Sequence, residues 1–142
     1  KSYCALLAGR IADKKMTVDS PLSKDTVSSG ERIVTVDEDG KSAKTIFSRE
    51  RVFQSATLVN IKLITGRTHQ IRVHSASIDH PVIGDMKYGD RIINREYKKL
   101  GLKRMFLHAK SLRFTSPVTQ KPLSIDAPLE PVLCQFLEQL VD

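Results

Sequence analysis

No apolar run in these 142 residues approaches the length needed to cross a bilayer. No charged-then-apolar leader opens the chain, so a cytoplasmic setting is the expectation. Cysteine is scarce. Cys4 and Cys134 form no CxxC pair and have no histidine at ligand spacing. Both stand in apolar settings, YCALL and VLCQFL, which predicts two small buried hydrophobes rather than a disulfide framework. The chain has no GxxxxGK[ST] loop and no GxGxxG, the two commonest phosphate cradles. It has no internal repeat and no low-complexity segment, and its length suits one domain with one core. Nothing in it demands an oligomer, so a monomer is expected.

What the chain does have is positive charge. Lys and Arg number 23 against 16 Asp and Glu, a net +7. That balance favours polyanionic partners, because each phosphate contact by Lys or Arg releases counterions. A membrane surface is disfavoured, since no long basic amphipathic helix with aromatic anchors is visible. Strands are predicted at residues 3–8, 33–36, 45–53, 56–64, 106–114 and 123–125. In the fourth, Val59, Ile61 and Leu63 alternate with Asn60 and Lys62. Residues 10–31 read as a polar connection with turns. Helices are predicted at 68–79, 91–100 and 129–141, the first capped by Thr65 or Thr68 and ended at Asp79-His80-Pro81. This order argues for an α+β fold, a largely antiparallel mixed sheet with flanking helices.

The densest polar stretch is TGRTHQIRVH, residues 65–74. A metal site there is excluded by spacing. His69 and His74 are five apart and point roughly 140° away from each other on a helix. Thr68, His69 and Arg72 share a face, Arg67 stands where it can meet a phosphate, and Ile71 and Ile78 hold the helix down. An inward Arg72 wants a carboxylate. Spacing alone leaves both an RNA-contacting face and an ordinary solvated face open. Among lesser features, His74 reads as a satisfied structural histidine, His108 as core or site, and Phe114 and Phe136 as core. Lys87 and Tyr88 read as residues of an exposed turn, with RNA contact as the alternative.

TGRTHQIRVH followed by HPVIGDMKYGD resembles the signature of the RNA pseudouridine synthases of the large-subunit ribosomal type. KSYCALLAG, SSGERIVTVDEDGKSAKT, FLHAKSLRF and DAPLE extend the resemblance over nearly the whole chain. The resemblance implies isomerisation of specific uridines to pseudouridine in 23S-type ribosomal RNA, with no metal and no organic cofactor. It implies that Tyr3 packs on the target base and assists proton removal from C5. Arg72 matches the arginine that ion-pairs with the catalytic carboxylate. Arg67, His69 and Gln70 belong to the same motif, for RNA contact or for holding the site together.

One departure stands out. The family's essential aspartate lies in an H-R-L-D-x-x-T-S-G segment, and no HRLD occurs here. Asp85 and Asp90 read as turn formers. Residues 1–142 are therefore expected to be the C-terminal portion of one catalytic domain. An N-terminal remainder would supply the nucleophile, and the isolated chain would be inactive. On this view Arg72 lacks its partner, and Tyr3 sits on a strand with missing neighbours. The alternative is a non-catalytic RNA-binding module.

Overall fold

A computed structural model describes residues 1–26 and 29–141, without the side chains of Thr26, Leu112, Arg113 and Phe114. The expectation that Phe114 is core therefore lies outside what is described. Strands β1 (Ser2–Ala8), β2 (Lys15–Asp19), β5 (Lys44–Val52), β6 (Ala56–Leu63), β7 (Leu107–Thr115) and β8 (Pro122–Asp126) form one sheet in the order β2-β5-β6-β1-β7-β8. Strands β3 (Leu22–Thr26) and β4 (Arg32–Val36) form a separate hairpin. Every pairing between these strands is antiparallel. The helices are α1 (Gln70–Ser77), α2 (Arg91–Lys99) and α3 (Pro131–Glu138).

β1 is central, with β6 on one side and β7 on the other. The expectation that Tyr3 lies on a strand with missing neighbours is wrong, because its partners come from residues far along the chain: Ile61 and Ala109 stand opposite Tyr3. β1 is apolar throughout its second half because both faces of the sheet are covered. Cys4, Leu6 and Ala8 join Phe53, Leu58, Tyr97 of α2, and Leu133 and Phe136 of α3. Ala5 and Leu7 join Phe47, Val59, Ile61 and Ile71 of α1 on the other face. This alternation follows from the two-residue period of a strand. α1 thus covers one face and α2 with α3 the other. No helix among the described residues is long and apolar enough to cross a membrane.

The polar segment 10–31 contains two strands, β2 and β3, that the sequence did not announce. They bury little beyond Val18 and Leu22, so no apolar pattern marks them. Cys4 is buried as expected, and burial pushes its thiol up to about 11. Cys134 is exposed, against expectation, because Leu133 and Phe136 carry the inward face of α3.

Candidate active site

α1 begins without the threonine cap the sequence suggested. His69 takes the N-cap position in the left-handed region (φ 54°) and makes no side-chain capping bond. A non-glycine residue there is uncommon, although histidine tolerates it better than most. Gln70 organises the entry to the helix instead. Its Oε1 accepts from the Arg67 N–H (3.0 Å) and the Thr65 hydroxyl (2.7 Å), while Nε2 donates to the Lys44 carbonyl (2.9 Å) and Thr45 Oγ1 (2.8 Å). The side chain is buried, and each donor hydrogen and each acceptor lone pair is engaged inside the chain. Of the two roles offered by the sequence, this geometry fits holding the site together.

His74 is fully buried. The Ser20 carbonyl, 2.9 Å from Nε2, can only accept, so Nε2 carries the proton. Nδ1 then accepts from the Thr45 hydroxyl at 2.7 Å. Burial lowers the pKa of His74. Both nitrogens are satisfied in the neutral ring, the structural role expected of it. His108 is also largely buried, with Nε2 3.0 Å from the Ala127 carbonyl.

Arg72 has the carboxylate it was expected to lack. Its Nε and Nη2 each donate to Asp85 at 2.8 Å, a bidentate pair in which the Asp85 side chain is wholly buried. Asp85 is therefore more than a turn former, and the missing-partner reading of Arg72 is corrected. The pair forms because Gly84 turns at φ 89° in a place where a Cβ would strike the Arg104 carbonyl. Buried Asn94 of α2 then grips both sides of the turn, accepting from the Gly84 N–H and donating to the Asp85 carbonyl. Burial pushes the Asp85 carboxyl up, but hydrogen bonds from Arg72 and from the Tyr88 and Lys87 amides outweigh it, and the pKa falls below its ordinary value. The Asp85 hydrogen bond in turn raises the pKa of Arg72. Arg72 Nη1 has no partner among the described residues.

Tyr88 is the residue that sequence reasoning undervalued. It is half-buried, not part of an exposed turn. Its ring lies 5.0 Å from the Arg72 guanidinium carbon. Its hydroxyl accepts from the Val34 N–H of the hairpin (3.1 Å) and sits 2.8 Å from His69 Nδ1. Burial, then the nearby positive charge of Arg72, lowers the pKa of His69. The His69 ring and the Tyr88 hydroxyl share that hydrogen bond, with the donor set by the tautomer of the ring. Lys87 is likewise half-buried and ties the loop to the hairpin through Glu31 and the Arg32 carbonyl. The available signal was Tyr88 itself, three residues after Asp85 in a loop that otherwise reads as turn.

Tyr3 and Arg67 come together. With Lys1, Leu63, Ile64, Thr65 and Gly66 they line a cleft of about 380 Å³. Arg67 is exposed, and its Nε donates to the Ser42 carbonyl at 2.9 Å, which aims the guanidinium. Gly66 and Arg67 also border a second cleft of about 560 Å³ facing the hairpin, where Lys24 and Lys41 stand. Among the described residues no three His, Cys, Asp or Glu side chains gather as a metal site. The arrangement presents an aromatic ring and an aimed cation to one cleft. Further along α1, Arg72 is fixed at two nitrogens and has no partner at the third among the described residues.

Residues 1–77 match the family model described as RNA pseudouridylate synthase. This chain belongs to that family. It is 47% identical over 140 residues to a protein named ribosomal large subunit pseudouridine synthase C from Pasteurella multocida, covering 99% of this chain and 43% of that protein. The protein of the same name from Escherichia coli K12 is 43% identical over 142 residues, covering 99% and 44%. The chain thus spans less than half the length of these relatives. Among solved structures, human RNA pseudouridylate synthase domain containing 1 superposes with a TM-score of 0.77 at 25% identity, over all of this chain and 66% of that one. The fold is therefore that of a pseudouridylate synthase domain, α+β with its large antiparallel sheet, as the sequence led one to expect.

Proposed function

We propose that the protein carrying this chain isomerises uridine to pseudouridine in large-subunit ribosomal RNA. The observation that carries this is the likeness over 99% of the chain to proteins named for that activity. The placement of Tyr3 beside Arg67 in one cleft supports it. In this reaction the N1–C1′ bond breaks, the uracil turns, and C5 bonds to C1′. The C5 proton leaves and N1 ends protonated, so composition does not change and no redox partner or cofactor is needed. Tyr3 stacks on the turning base and assists removal of the C5 proton. Arg67 and His69 hold RNA, the first as a cation and the second through its Nε2. Arg72, clamped by Asp85 along one edge, offers Nη1 to the nucleophilic aspartate. In this reading that aspartate belongs to an HRLD segment outside residues 1–142, and this chain is the C-terminal portion of the catalytic domain.

The test compares the full natural protein with residues 1–142 alone on ribosomal RNA transcripts, mapping pseudouridine by primer extension after carbodiimide treatment. The full protein is expected to modify large-subunit RNA, without loss on dialysis against chelator, and the isolated chain is expected to give no turnover. Turnover by the isolated chain would overturn the assignment of the nucleophile. Absence of turnover by the full protein, with RNA binding retained, would favour a non-catalytic RNA-binding module.

A further inference from the structure

The cations of this chain are unevenly spread. Between Arg91 and Arg104 stand six of the 23 Lys and Arg residues and only one of the 16 carboxylate residues, Glu96. The segment is α2 with the turn that follows it. Asn94 and Tyr97 are buried and Ile93 packs on the core, so these three positions define the inward face of α2. Arg91, Arg95 and Lys98 follow at four- and three-residue intervals and lie within about 60° of arc on the outward face. All three are exposed, as is Lys103 just beyond. Glu96 is engaged by Lys99 (3.6 Å), and Glu130 of the neighbouring helix by Arg104 (2.6 Å). The Asp90 carboxylate is occupied by the amides of Ile92 and Ile93. Among the described residues no carboxylate lies within ion-pair reach of Arg91, Arg95, Lys98 or Lys103.

Such a stripe gives this face a positive potential that attracts anions. It also does not face the cleft of Tyr3 and Arg67. Tyr3 packs on the sheet face that holds Ala5, Leu7 and Ile71, whereas α2 packs on the face that holds Cys4, Leu6 and Leu58.

We propose that the outward face of α2 is a second RNA-binding surface, which grips the phosphate backbone of a folded RNA at a distance from the target nucleoside. The proposal rests on the reading that the substrate is RNA. Phosphates are the ligand that fits, because the face offers several separate cations along about 10 Å of helix and little else. A membrane fits poorly. Interfacial helices need a broad apolar face with aromatic anchors, and α2 exposes Ile92 while its one aromatic, Tyr97, is buried. An RNA that occupies both surfaces must reach around the sheet. The protein therefore distinguishes a large structured RNA from a short stem–loop carrying the same uridine.

The experiment uses the full natural protein with Arg91→Gln, Arg95→Gln and Lys98→Gln combined. A control combines Lys14→Gln, Lys15→Gln and Lys121→Gln, exposed lysines on other elements. A third variant, Arg91→Lys with Arg95→Lys, keeps the charge. Binding to a folded large-subunit RNA fragment is measured from about 50 to about 200 mM salt. The neutralised variant should flatten the slope of log K against log[salt] by about 2 relative to wild type, and the charge-keeping variant should leave it unchanged. KM for the folded fragment should rise by roughly tenfold with kcat unchanged, while turnover of a short stem–loop stays at the wild-type rate. A slope and KM equal to those of the control variant would overturn the proposal. So would loss of binding to phosphatidylserine vesicles with RNA binding intact, which would assign the face to a membrane. If wild type binds RNA through this face but turns over neither RNA, the functional reading fails and the surface stands.

Discussion

The Asp85 carboxylate accepts four hydrogen bonds: two from the Arg72 guanidinium and one each from the backbone amides of Lys87 and Tyr88. Removing its charge leaves Arg72, whose side chain is 19% exposed, without a counterion. Breaking a buried pair by deleting one partner is strongly destabilising, while deleting both with well-packed groups often is not. Asp85→Asn is expected to lower stability by about 2–4 kcal/mol at neutral pH, and Arg72→Met combined with Asp85→Asn to recover part of that loss. Urea unfolding of the two single variants and the double variant checks both. The pH dependence follows from the lowered Asp85 pKa. The stabilisation is fully present above 3.8, the ordinary value, and is lost as pH falls through the lower folded-state value. In Asp85→Asn this acid-dependent loss should be absent.

α1 is a short helix whose position depends on two buried polar residues more than on its apolar ones. Gln70 ties its start to β5, and His74 ties its middle to Thr45 and to the Ser20 carbonyl between β2 and β3. His74→Ala leaves the Thr45 hydroxyl and the Ser20 carbonyl short of a partner and opens a cavity, a cost of about 2–4 kcal/mol. Because burial lowers the folded-state pKa of His74, the unfolded chain binds its proton first. Stability should fall as pH drops below 6.5, the ordinary histidine value. Denaturant midpoints between about pH 7 and 5 should show a shallower fall in His74→Ala than in wild type. The residual slope belongs to His69, whose pKa is also lowered. A variant with the wild-type slope would contradict the neutral, doubly bonded His74. The sequence showed that this helix existed and which residues it offered, because the period of Ile71 and Ile78 is local. The left-handed turn at His69 and the glutamine that replaces a threonine cap were not legible, because Lys44 and Thr45 reach Gln70 from another strand.

At the scale of the molecule, the first strand is the middle one. β1 is hydrogen-bonded on both edges and covered on both faces, whereas β8 is an edge strand with all five residues exposed. Amides in such positions open only in near-global unfolding, while edge strands open locally. Native-state hydrogen exchange should therefore find the slowest amides in β1 and β6 and fast exchange in β8 and in the β3–β4 hairpin, which stands outside the main sheet. Exchange of β1 as fast as that of β8 would contradict this topology.

The sequence by itself determined every element but β2 and β3, through apolar pattern in the strands and through pattern, caps and turn signals in the helices. It also determined the family, because TGRTHQIRVH and HPVIGDMKYGD are long polar strings in which few substitutions pass unnoticed. Tertiary structure alone decided that Asp85 is the partner of Arg72, that Tyr88 joins His69, Arg72 and the hairpin, and that Tyr3 and Arg67 share a cleft. Each of these depends on segments distant in sequence being brought together. Hydrophobic periodicity records which face of an element is buried, and it carries no information about which polar atom from another element will be waiting there.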